Sequence, residues 1–187
     1  MLPSIIVNLI IAVCVAGAAP LHMKKAPFHV LLRFFTVLSN LLCAAAALLV
    51  ILCRLGGDLP YWVGVLKYVG TSAVTVTLLT VVFFLGPTLG WKPMFTGPDL
   101  WLHLVCPALA IVSLLLWDKP AMPFGMVFLG FAPVPVYGVM YIYRVLWAPE
   151  ARRWTDFYGF NRSGKWWASY LVMAVGSFLI ALALWAI

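Results

Sequence analysis

The sequence predicts an all-α, polytopic integral membrane protein with six transmembrane helices in one bundle. Three observations carry that expectation. Hydrophobic residues make up 65% of the 187-residue chain and charged residues only 9%, against about 25% charged in soluble domains. The mean hydropathy is +1.08, more apolar surface than a water-soluble core of this size can hide. Six apolar runs also reach the roughly 20 residues that a bilayer crossing needs.

The first run covers residues 2–20. It ends in Ala16-Gly17-Ala18, a faint likeness to a signal-peptidase site, but no charged segment precedes it, so it is expected to persist as a span. His22-Met23-Lys24-Lys25-Ala26-Pro27 leads to the second run, 30–53, which Gly56-Gly57-Asp58-Leu59-Pro60 breaks. The third, 62–85, is rich in Val and Thr and is expected to stop at Gly86-Pro87. Asp99 is the expected N-cap of the fourth, 99–117. The fifth, 124–146, contains Pro133 and Pro135. A kink is expected there, with neighbouring helices satisfying the freed carbonyls. The polar stretch 147–165 precedes the sixth run, 166–187. Aromatic residues gather at many span ends, as at a membrane interface. All 187 residues form a single domain in this reading.

The net charge of +7 is spread between apolar runs, which points to basic loops on a membrane face and to no nucleic-acid partner. Lys24, Lys25, Arg33, Lys92, Arg144, Arg152, Arg153, Arg162 and Lys165 fall on one side, and Arg54, Lys67 and Lys119 on the other. The richer side is expected to face the cytoplasm, with both termini outside. Cys14, Cys43, Cys53 and Cys106 show no paired spacing, so neither a disulfide framework nor a metal site is expected. No cofactor is expected either: His22, His29 and His103 are the chain's histidines, and two lie in or beside the first loop, a poor set for ligating haem.

Two stretches organise the chain. Arg33-Phe34-Phe35-Thr36-Val37-Leu38-Ser39-Asn40 opens the second run, and Leu100-Trp101-Leu102-His103-Leu104-Val105-Cys106-Pro107 opens the fourth. Both runs start from the same side, so Thr36 and His103 are expected at similar depth, a few residues inside the bilayer. Taken alone, a threonine in a span more often bonds back to its own helix. Histidine in a span is costlier and reads as functional by default. A threonine hydroxyl needs a base to become a nucleophile, and neutral histidine suits that role. Asp156 is a candidate to orient His103, and Asn40, Tyr141 or Arg33 to donate to an oxyanion. Ser39 and Asn161 complete the candidate set. Cys106, one turn from His103, reads mainly as packing material.

These motifs resemble a known group. F-T-x-x-S-N at the second span, L-H-x-x-x-P at the fourth, and a Tyr-rich fifth span followed by Asp156-Phe157-Tyr158-Gly159-Phe160-Asn161 look like bacterial six-span proteins distantly related to the eukaryotic androgen-induced-gene family. That family includes threonine hydrolases of fatty acid esters of hydroxy fatty acids. The resemblance implies a catalytic pair at Thr36 and His103, a membrane lipid or fatty-acyl ester as substrate, and a bacterial plasma-membrane location. It also implies cytoplasmic termini, against the charge count. The alternative is a multi-pass binding or transport protein for a small or lipidic ligand, without hydrolysis.

Overall fold

The structure is a computed structural model that describes residues 1–24 and 26–187. Lys25, counted above among the loop cations, lies outside the described residues. Six helices are long and apolar enough to cross a membrane: α1 Leu2–Met23, α2 Phe35–Gly56, α3 Tyr61–Leu89, α4 Pro98–Asp118, α5 Phe124–Trp147 and α6 Trp166–Ala186. The described residues contain no strand. The all-α, six-span expectation therefore holds, and the chain reads as a multi-pass membrane protein.

Several boundaries differ from expectation. α1 runs on through Pro20 to Met23. α2 starts at Phe35 rather than at residue 30, because Phe28–Leu31 forms a separate turn and Phe34 is extended (φ −92°, ψ 129°). Tertiary bonds satisfy the backbone exposed by this break: Tyr137 donates to the Arg33 carbonyl at 2.6 Å, and the Phe35 N–H donates to the Tyr158 hydroxyl at 3.0 Å. Thr36 thus sits in the first turn of α2, closer to its start than expected. α3 continues over Gly86-Pro87 to Leu89 after widening into a π turn at Val81–Leu85. Gly97, with φ +60°, caps α4 in place of Asp99, which lies in the first turn. A carboxylate there still complements the helix dipole.

α4 also begins with a π turn, Trp101–Val105, in which the Cys106 N–H closes on the Trp101 carbonyl. Pro107 has no N–H to offer the His103 carbonyl, so the regular ladder fails at this point. α5 divides as expected, into Val127–Phe131 and Pro133–Ile142.

α3 is the central helix. Of its apolar window 56% is buried, against 17% for α6. α2 approaches it closely: a Cβ on Gly70 would meet the Cys43 Cα at 3.1 Å, and Ala44, Ala46 and Ala47 are buried in α2. Small residues let helices in lipid draw near enough for backbone packing. The outward surface is apolar, with Leu52, Phe83, Val136 and Leu171 among its exposed side chains.

A charged network ties four helices together at the end away from Thr36. Asp118 closes α4 and is buried. Its carboxylate accepts the Ser4 hydroxyl at 2.6 Å, the Asn8 amide at 2.8 Å and the Ser113 hydroxyl. Lys67 donates to Asn8 Oδ1 at 2.6 Å, and the Arg54 guanidinium lies 3.7 Å from Asp118. Lys67, grouped by sequence with cations of the second face, is instead fully buried within α3. Asn8 presents its oxygen to the lysine and its nitrogen to the carboxylate, so each charge meets a dipole of the right sign. Removing one partner of such a set leaves the other charge stranded, at a cost of about 3–5 kcal/mol. Asp118→Leu is expected to lower the thermal midpoint in detergent by a corresponding amount. Adding Lys67→Met should recover part of the loss, as a double-mutant cycle would report.

Candidate functional site: an apolar cavity at Thr36

An apolar cavity of about 360 Å³ lies where the start of α2, the end of α3, the second half of α5 and the start of α6 meet residues 158–160. Its size suits a small-molecule or lipid-chain site, which spans roughly 300–1,000 Å³. The proline break explains its place. The first half of α5 packs tightly on α3, with Gly130 against the Tyr68 ring. Beyond Pro133, Val134, Pro135, Tyr137 and Gly138 form cavity wall. Phe84 of α3 and Val172 of α6 line the cavity and are also exposed, so it reaches the apolar outer surface of the bundle between helices.

Polar side chains enter the wall from several elements, with three threonines on α2 and α3. Thr36, Thr77 and Thr80 line it, as do Tyr137 and Tyr158. The Thr36 carbonyl accepts from Ser39 Oγ at 3.1 Å and Asn40 Nδ2 at 2.8 Å. Ser39 Oγ also lies 2.9 Å from Thr77 Oγ1. With the Ser39 proton on the Thr36 carbonyl, Thr77 is the donor in that pair.

Asn40 connects this wall to α4. Its second amide proton goes to the Leu102 carbonyl at 3.1 Å, immediately before His103. Its Oδ1 is buried with no hydrogen-bond partner among the described residues. His103 is buried, and its Nδ1 lies 2.9 Å from the Met94 carbonyl. A carbonyl only accepts, so Nδ1 carries a proton, and in the neutral ring the lone pair is then on Nε2. That is the tautomer a general base needs. Met94 thereby orients the imidazole, the role expected of Asp156.

Asp156 does something else. Its Oδ1 accepts the Tyr141 hydroxyl at 2.8 Å and the Phe160 N–H at 2.9 Å, and its Oδ2 accepts the Asn161 N–H at 2.8 Å. The carboxylate folds residues 156–161 around itself, helped by Gly159 at φ +70°. Tyr141 is fully buried, and its oxygen also accepts the Tyr158 N–H at 3.0 Å. Tyr141 and Asn161 therefore belong to the loop's framework. Arg33 reaches the cavity rim through its carbonyl, by way of Tyr137.

The structure thus brings Thr36, Ser39 and Asn40 together, with Thr77 and Tyr158 added. It joins them to the His103 turn through Asn40. Among the described residues, no hydrogen bond links Thr36 to His103, and the His103 ring is not part of the cavity wall. Tyr158 is the member that sequence reasoning missed as a site residue. Its signal was the aromatic run 157–160 in the longest polar segment. Burial raises its phenol above the ordinary range, only partly offset by the Phe35 N–H, so it stays a neutral hydroxyl across physiological pH.

No family model, curated protein or solved structure matches the chain.

The Asp156 carboxylate carries three hydrogen bonds, and bonds to a charged group are worth about 1.5–3 kcal/mol each. Asp156→Ala is expected to release residues 156–161. Limited proteolysis should then cut between Trp154 and Lys165 faster than in the native chain, while the helical circular dichroism stays.

Proposed function

We propose that the chain is an intramembrane lipid ester hydrolase in a bacterial plasma membrane, taking one acyl chain into the Thr36 cavity. One observation carries the reading: a threonine lies in the wall of an apolar, laterally open cavity, and Asn40 ties its turn to the turn bearing a buried, oriented histidine. The resemblance to the androgen-induced-gene family supports the same two residues.

In this mechanism the ester carbonyl meets Thr36 Oγ. His103 Nε2 takes the hydroxyl proton as the Oγ–C bond forms, then returns it to the departing alcohol. Water next attacks the acyl-threonine with the same base, releasing the acid. Thr36 and His103 must close on each other when the ester enters. Catalytic hydrogen bonds are often long before substrate binds, and π turns such as Trp101–Val105 recur at functional sites.

A second reading is binding of a lipid chain without hydrolysis. The absence of the His103 ring from the cavity wall favours it.

Hydrolysis of a fatty acid ester of a hydroxy fatty acid by the detergent-purified protein separates the two. Thr36→Ala and His103→Ala are each expected to slow it by about 10²–10⁴-fold without loss of helical signal. Full activity in Thr36→Ala overturns the mechanism. Native protein that binds the ester and leaves it intact establishes the second reading.

A further inference from the structure

Two arginines carried on or beside elements that also contribute to the cavity wall, the start of α2 and the second half of α5, form no ion pair among the described residues. Arg33 stands three residues before Thr36. Arg144 follows Tyr137 by two helical turns on α5, about 10 Å along the axis. They come from different helices, yet both guanidiniums lie over the Trp154 indole, at 5.7 Å and 5.6 Å from its centroid. Backbone bonding fixes this meeting point. The Trp154 N–H donates to the Arg144 carbonyl at 2.9 Å, and the Arg33 carbonyl is held by Tyr137.

Both arginines are half-buried. Among the described residues, neither forms an ion pair. Asp156, the acidic residue built into the same loop, spends its carboxylate on Tyr141 and two backbone amides. Stacking on an indole accounts for the position of a guanidinium but leaves its hydrogen-bond donors open, since the ring takes the flat face. Two planar forks with open donors, on elements adjoining an apolar cavity, match an anionic amphiphile, whose oxygens are the acceptors that arginine pairs with best.

We propose that Arg33 and Arg144, held on Trp154, form an anion subsite that receives the carboxylate or phosphate of the lipid whose chain occupies the Thr36 cavity. The assignment rests on the lipid-chain reading above and adds the charge of the ligand to it.

The test compares ligands with one chain and different heads, bound to the native protein in a neutral detergent. Oleate is set against oleyl alcohol, and monooleoyl glycerol phosphate against monooleoyl glycerol. Each acid is expected to bind at least tenfold tighter than its neutral counterpart. That preference should shrink between 50 mM and 500 mM salt, as a partly exposed charge pair requires. The stronger of the two preferences identifies the source, carboxylate or phosphate. Arg33→Gln and Arg144→Gln are expected to bring the ratio close to one, and Arg144→Lys to restore part of it. Equal binding of acid and neutral ligand by the native protein overturns the subsite and leaves the chain cavity standing. Binding of none of the four overturns both. The salt series uses the native chain alone, so the test stands even where a variant does not fold.

Discussion

The tie between Asp118, Asn8 and Lys67 is the interaction on which the rest of this bundle depends. Lipid supplies no hydrophobic force between helices, since its tails are as apolar as leucine. What holds spans together in that solvent is close packing and polar bonds. Here a charged set of such bonds locks one end, where α1, α2, α3 and α4 each contribute a side chain. Small residues do the remaining work in the middle, where Gly70 meets the backbone of α2. With one end locked, the opposite end can remain open without the bundle separating.

The open end is shaped by missing backbone donors. Pro107 leaves the His103 carbonyl without its ladder bond, and a π turn takes up the slack. Pro133 and Pro135 divide α5, and its second half forms part of the wall. The break before α2 is held by two tyrosine hydroxyls. The breaks at α2 and α5 fall in the cavity wall, and the α4 turn is joined to it through Asn40.

Much of the fold was legible in the sequence because span length and hydropathy are properties of contiguous residues. The six runs and the proline break in α5 were read this way. The grouping of Thr36, Ser39 and Asn40 follows from helical spacing and was equally readable. Lys67 was not, because a lysine near a span end ordinarily reaches out to the interface. Only the fold reveals that Asn8, 59 residues earlier, waits for it. The partner of His103 was hidden for a related reason. Met94 offers a backbone carbonyl, which every residue has, so no side-chain pattern marks it. Asp156 attracted an orienting role by its type, yet three donors in its own neighbourhood had already taken it.

The sideways opening between Phe84 and Val172 has a thermodynamic consequence. A chain that slides in from the bilayer leaves one hydrocarbon environment for another, so its transfer contributes little net free energy. Every lipid in the membrane offers such a chain at very high local abundance. Discrimination must therefore come from the few polar atoms along the wall and rim. For a lipid ligand, as proposed, the apolar bulk of the cavity would set which shapes are admitted, and the hydroxyls in its wall which molecule stays.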